Sequence, residues 1–356
     1  MFNHKYGWLR TIRVGWTGVA ALLISFLLAT PVRAAGSEGD FNIQVSPSPL
    51  VVTLVPGQSQ TARLTVRNFT AHTETLNPGL QGFTIDDRSQ KITLNNNIPA
   101  GMQDWVHFKQ SALTLSAGAS LPLDITFDTP ANVGFSYSLA ITLSRPEPAQ
   151  PLNQPGAQLQ PKVAVFCLVN INRPDAKSKL AITDLSSKQS HYTFLPATFS
   201  TSIANQGNVI MQPAGTLFIQ RSFDAASPIV SLPINPDHGY VLPGSTRTFT
   251  SDWTNGFPVY VTQTVDGKKS VHLSWNWKHV SELRFGRYVA KAVLVYNDGH
   301  RDLPVIASTT FWVIPWWLLL CAVLVLIVLV MGLIGWGWVI FKGTKKVRGY
   351  AHTHRK

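Results

Sequence analysis

The chain has 356 residues, with 30 Lys and Arg against 18 Asp and Glu, and a formal charge of +12. That charge sits at the ends: residues 1–34 hold four cations and no acid, residues 342–356 hold six and no acid, which leaves 12 − 4 − 6 = +2 for residues 35–341. A middle this close to neutral offers no electrostatic footprint for a polyanion, so nucleic-acid binding is excluded and the basic ends read as topological signals.

Residues 1–34 read as a signal peptide. Lys5, Arg10 and Arg13 precede an apolar run from Val19 to Ala29, and Val32-Arg33-Ala34 places small residues at the −3 and −1 positions of a cleavage site. Beyond it the hydrophobic pattern has period two. Thr61–Arg67, Leu121–Phe127 and Thr198–Ile203 alternate apolar and polar residues, as half-buried strands do. Turn phrases such as Pro56-Gly57, Asn77-Pro78-Gly79, Ala117-Gly118, Pro243-Gly244 and Asn297-Asp298-Gly299 punctuate them.

Short strands with frequent turns predict an all-β region of two immunoglobulin-like β-sandwiches in tandem. The first is expected over 35–172, the second over 180–314, with a linker at 173–179. A Pro-rich loop at 145–161 is read as the connection of a long hairpin, pairing Tyr137–Leu143 with Val163–Ile171. Pro56-Gly57 and Pro243-Gly244 each lead into a strand, a short echo consistent with two similar units.

Residues 315–341 are predicted to be a single transmembrane helix. From Trp316 to Phe341 there are 26 residues without a charge, and at ~1.5 Å per residue they reach roughly 39 Å, enough to cross a ~30 Å hydrocarbon core. Trp316 and Trp317 stand at one end and Trp336 and Trp338 at the other, where amphipathic rings favour the headgroup layers. Lys342, Lys345, Lys346 and Arg348 open the basic tail, 342–356. By the positive-inside rule the tail is cytoplasmic, and the β-region lies outside a plasma membrane crossed once.

Only two cysteines occur, Cys167 and Cys321, and Cys321 falls inside the apolar run. They cannot meet, and an exported chain of this size without a disulfide points to a bacterium.

Residue types that carry chemistry are sparse. The histidines outside the terminal segments show no metal-ligand spacing, and Asp298-Gly299-His300-Arg301-Asp302 reads as a hairpin turn. Asp86-Asp87 are neighbours that point to opposite faces of a strand. No nucleophile motif is present, so the chain is read as a non-enzyme, with no cofactor and no metal. The aromatics are more telling. Trp275 and Trp277 would share one strand face. Buried, they are core of the second sandwich; exposed, they form a stacking platform for a sugar or a partner protein. The core placement is the expectation.

The order signal, β-domain, β-domain, transmembrane helix and Lys-rich tail resembles the WxL-interacting cell-surface proteins. In the first domain the resemblance rests on Phe41-Asn42-Ile43 with Pro47 and Pro49, on Pro56-Gly57-Gln58-Ser59 entering a strand that ends near Asn68, and on Leu113-Thr114-Leu115 before Pro130. In the second it rests on Leu180-Ala181-Ile182, Gly286-Arg287-Tyr288, and Phe311-Trp312-Val313-Ile314-Pro315-Trp316. Asn132-Val133-Gly134-Phe135 stands where that family carries a Gly-Gly pair, so no ligand residue is transferred. The resemblance implies a peptidoglycan-binding domain followed by a host-binding domain. The expected function is that of a membrane-anchored surface protein binding cell-wall glycan or another surface protein. The alternative is an accessory subunit of a membrane complex, acting through its helix and tail.

Overall fold

The computed structural model describes residues 41–86, 90–99, 101–146, 161–223, 227–265 and 268–351, with side chains in the last helix described through Trp338. The predicted signal peptide and most of the Pro-rich loop lie outside the described residues.

The first sandwich comprises β1 (Ile43–Ser46), β2 (Leu50–Leu54), β3 (Ser59–Asn68), β4 (Glu74–Ile85), β5 (Ile92–Asn95), a one-turn helix α1 (Met102–Trp105), β6 (Val106–Phe108), β7 (Leu113–Leu115), β8 (Ser120–Asp128), β9 (Ser136–Ser144) and β10 (Lys162–Ile171). One sheet runs β1-β3-β8-β6 and the other β2-β10-β9-β4-β5, with β7 beside β4. The alternation in the sequence sets which side chains go inward. Leu64 and Val66 of β3 and Leu123, Ile125 and Phe127 of β8 are fully buried, and meet Leu139, Ile141 and Leu143 of β9 with Val165, Cys167 and Val169 of β10. β9 and β10 pair antiparallel from Ser136↔Asn170 to Ser144↔Lys162, the hairpin expected across the Pro-rich loop.

The second sandwich comprises β11 (Leu180–Ser187), β12 (His191–Tyr192), β13 (Ala197–Asn205), β14 (Ala214–Arg221), β15 (Val230–Pro233), β16 (Thr246–Trp253), β17 (Val259–Val265), β18 (Lys268–Ser274), β19 (Gly286–Asn297) and β20 (Asp302–Val313). Its sheets run β11-β13-β16 and β12-β20-β19-β14-β15. Strand for strand this repeats the first sandwich: in each, the second strand pairs in parallel with the last, β2 with β10 and β12 with β20. Phe199, Trp253, Tyr288 and Phe311 are fully buried and form an aromatic centre, with Trp253 edge-on to Tyr288 at 5.3 Å.

Two devices recur at matching places. Asn68 closes β3 and Asn205 closes β13, and both are buried. The Asn68 amide donates to the carbonyls of His72, Leu115 and Ser116, and its oxygen accepts from the Thr70 N–H. The Asn205 amide donates to Val209 and Val241, and its oxygen accepts from the Gly207 N–H. Each asparagine thus ties the end of its strand to the turn that enters the next sheet neighbour. That turn is Ser116–Ala119 in the first sandwich and Leu242–Ser245 in the second, with Gly118 and Gly244 both at φ 72°. The repeat therefore matches Pro243-Gly244 with Ala117-Gly118, and not with Pro56-Gly57 as the sequence echo had it. Tyrosine corners match as well: the Tyr137 hydroxyl accepts from the Gly134 N–H, and the Tyr288 hydroxyl from the Phe285 N–H.

Alanine at Asn205 removes the donor to the Val209 and Val241 carbonyls and the acceptor of the Gly207 N–H, and a donor lost from a buried group costs about 1–3 kcal/mol. Asn205→Ala and Asn68→Ala are each expected to lose about 2 kcal/mol in urea unfolding of the detergent-solubilised chain, and Asn205→Asp at least as much, because a carboxylate cannot donate. Unchanged midpoints would show these amides to be idle.

The sandwiches are joined at a fixed corner. The Asn170 side chain donates to the Ile210 carbonyl at 3.0 Å and accepts from the Ile210 N–H at 2.8 Å. Ser136 donates to the Asn208 carbonyl, and Arg173, in the linker, donates to the Val133 carbonyl while stacking on Phe135. After β20 comes α2 (Trp316–Ala351), 36 residues long.

Candidate functional site

Between β8 and β9 the first sandwich has seven residues, 129–135. At the matching place, between β16 and β19, the second has 32, 254–285, and these carry β17, β18 and a 3-10 turn at Trp277–Glu282. The insertion is tied to the sandwich by the Tyr260 N–H, which donates to the Leu195 carbonyl at 2.8 Å. Its own base is closed by the Phe257 N–H, which donates to the Glu282 carbonyl at 3.1 Å, and by the Arg284 guanidinium, which donates to the Asn255 carbonyl at 3.1 Å. Phe257 is buried there, with its ring 5.7 Å from Trp275 and 5.2 Å from Trp277.

The outer side of this base is apolar and open. Trp275 and Trp277 stack at 6.0 Å and are 43% and 70% exposed. Val280, Leu283 and Phe285, in the same segment of the insertion, are exposed as well. The expected placement of the two tryptophans on one strand face in the core is corrected here. β18 ends at Ser274, and Asn276 then turns the chain, its side-chain oxygen accepting from the Lys278 N–H. A spacing of two fixes a common face only while the strand continues. The tryptophan that does fill the core of this sandwich is Trp253.

The remaining predicted residues lie on α2. Trp316 and Trp317 open the helix and Trp336 and Trp338 lie near the end of its apolar part, all exposed. Residues Trp316–Trp338 are long and apolar enough to cross a membrane, and none of them is buried. The helical backbone runs on through Lys342, Lys345, Lys346 and Arg348, whose side chains lie outside the described ones.

The polar side chains perform structural work. Asp298 accepts from the backbone N–H groups of His300 and Arg301, both at 2.9 Å, and these bonds hold its carboxyl below the usual range. It is spent on the β19–β20 turn. Glu74 is buried, and the Arg145 guanidinium donates to both its oxygens, at 2.5 and 2.8 Å, while His72 lies at 2.6 Å. Arg145 holds the Glu74 carboxyl below the usual carboxylate range, against the burial that pushes it up. Burial pushes the Cys167 thiol up to about 12, so it is an inert core residue. Asp87 lies outside the described residues. Among the described residues no three His, Cys, Asp or Glu side chains gather as a metal site. A cavity of about 160 Å³ beside β2 and β3 is walled by Val52, Leu54, Gln60 and Phe127 among others, with no titratable group. Within the insertion His279 lies 3.3 Å from Glu282, and the surface around Trp275 and Trp277 is apolar and aromatic.

No family model matches the chain, and no curated protein does. Among solved structures it is similar to the class 5 fimbriae chaperone CfaA at 12% identity, covering 75% of this chain and 99% of that one with a TM-score of 0.36. It is also similar to the CsuC–CsuE chaperone–tip adhesion subunit complex from Csu pili of Acinetobacter baumannii, at 11% identity, 65% and 98% coverage and a TM-score of 0.32. The CupB2 chaperone of Pseudomonas aeruginosa matches at 10% identity, 76% and 100% coverage and a TM-score of 0.29. The assignment of the fold rests on the strand order given above.

Proposed function

We propose that this chain is a non-enzymatic, membrane-anchored bacterial surface protein. Two immunoglobulin-like sandwiches stand outside the cell on one transmembrane helix, with the basic tail in the cytoplasm. The observation that carries the reading is the C-terminal helix: Trp316–Trp338 holds no charge, is wholly uncovered, and follows directly on the last strand of a folded sandwich. Its length and composition match the hydrocarbon core of a bilayer. The orientation follows from six cations and no acid after Phe341. By the resemblance to WxL-interacting proteins, the β-region binds cell-wall glycan or another surface protein.

The full chain is expected to stay with the membrane pellet after alkaline carbonate extraction, and a chain ending at Ile314 to leave it. A C-terminal tag is expected to react with antibody only after permeabilisation. Carbonate release of the full chain would overturn the anchor, and a tag reactive on intact cells would overturn the orientation.

A further inference from the structure

The exposed apolar base of the insertion lies at the end of the second sandwich from which the helix departs. Gly286, the first residue of β19, is the register partner of Val313, the last of β20. Helix α2 begins at Trp316, three residues later. Three extended residues span at most ~10 Å, so this end of the sandwich stays within about that distance of the first helical turn. The headgroup layer on one side of a bilayer is itself about 5–8 Å thick. Phe285 adjoins Gly286, Leu283 bridges to Phe257, and Phe257 packs on both tryptophans. The exposed rings of Trp275 and Trp277 are therefore linked by packing, through Phe257 and Leu283, to the segment that enters β19 at this end of the sandwich.

The composition of that surface suits a bilayer interface better than the other classes of occupant. Indole rings with neighbouring Val, Leu and Phe are what the headgroup boundary favours. The insertion also carries Lys268, Lys269, Lys278 and Arg284 against Asp266 and Glu282, so 4 − 2 = +2. That sign complements anionic lipid. Trp312, on β20, is exposed at the same end.

We propose that the base of the insertion is a second membrane contact: Trp275, Trp277, Val280, Leu283 and Phe285 sit in the outer-leaflet interface and seat the second sandwich on the bilayer. This rests on the anchored reading above, and extends it from a tether to a docked domain. The helix fixes position along the membrane normal, and the insertion fixes the tilt of the sandwich.

The test uses the full chain reconstituted in vesicles of phosphatidylcholine and phosphatidylglycerol, with an environment-sensitive fluorophore on one cysteine and lipids spin-labelled near the headgroup. Three sites are read: Cys321 itself, Trp277→Cys, and His300→Cys in the β19–β20 turn at the far end, the last two combined with Cys321→Ala. Phe285→Cys replaces Trp277→Cys if that variant misfolds. The probe at 277 is expected to lose emission about twofold or more relative to the probe at 300, and more as phosphatidylglycerol rises. A probe at 277 no more quenched than that at 300, with Cys321 quenched, overturns the proposal and leaves the cluster to a protein or glycan partner. Cys321 unquenched overturns the anchor, and this proposal with it.

Discussion

Trp253→Ala is expected to lower the unfolding free energy by about 3–5 kcal/mol, whereas Trp277→Ala stays within ~0.5 kcal/mol. The two residues lie in one sandwich and carry the same side chain, so the contrast isolates burial. Trp253 is fully buried, edge-on to Tyr288 at 5.3 Å and to Phe311 at 6.1 Å, with Arg284 over its ring at 5.7 Å. Removing it opens a cavity at the centre of an aromatic cluster that three strands hold rigid. Its indole nitrogen makes no hydrogen bond among the described residues. Trp253→Phe therefore loses volume but also removes an unsatisfied donor, and is expected to cost well under half of the alanine variant. Urea unfolding of the detergent-solubilised chain measures all three. Equal losses at 253 and 277 would mean that the two tryptophans do not differ in burial.

Arg145→Met is expected to cost about 3–5 kcal/mol at neutral pH, the second large effect, because it leaves the buried Glu74 carboxylate without its bidentate guanidinium and with His72 as its remaining partner. The sign of the pH dependence follows from the direction of the shift. In the native chain the Glu74 pKa is lowered. Its contribution is fully present above the unfolded carboxylate value, ~4.3, and is lost as pH falls through the lower folded value. In Arg145→Met the guanidinium no longer lowers the Glu74 pKa, and burial is opposed by His72 alone, so the folded value rises relative to the native chain. The variant then gains less stability than the native chain as pH rises through the carboxylate range. The gap between native chain and variant is therefore widest near neutrality and narrows toward acid. Glu74→Gln with Arg145→Met should recover part of the loss at pH 7. A gap that does not change with pH would remove Glu74 from the account.

The class of the fold was legible in the residues themselves. A half-buried strand writes its burial into every second position, and Thr61–Arg67 and Thr198–Ile203 became the cores of β3 and β13. The helix after Trp316 was legible for the same reason: an unbroken apolar run of that length without Pro is written into the composition, and it became α2. The hairpin across the Pro-rich loop could be read because both of its strands were apolar and the segment between them could not join a sheet.

Features that depend on one residue closing a distant turn were not legible. Asn68 and Asn205 are unremarkable in the sequence, and only the fold brings them beside Leu115 and Val241. The Pro-Gly echo was matched to the wrong partner because a turn dipeptide carries no record of which strand precedes it. The twin tryptophans failed on a boundary: the sequence marks a pair at spacing two but not the end of β18 one residue before it. The place of Trp253 at the centre of the second sandwich emerges only from the pairing of β16 with β13, Ala197↔Trp253.

The parallel pairing of β12 with β20 has a mechanical consequence. In a chain held by its helix and gripped through its outer sandwich, tension enters the second sandwich at Val313. It pulls β20 lengthwise, along all 12 of its residues paired to β19 and against β12, through the Trp312 to Ser190 and Ile314 to Tyr192 hydrogen bonds at 2.9 and 2.7 Å. Bonds that lie across the direction of pull are loaded together, in shear, and none can break first to unzip the rest. The strand that leads to α2 is thus the one the sheet grips along its whole length.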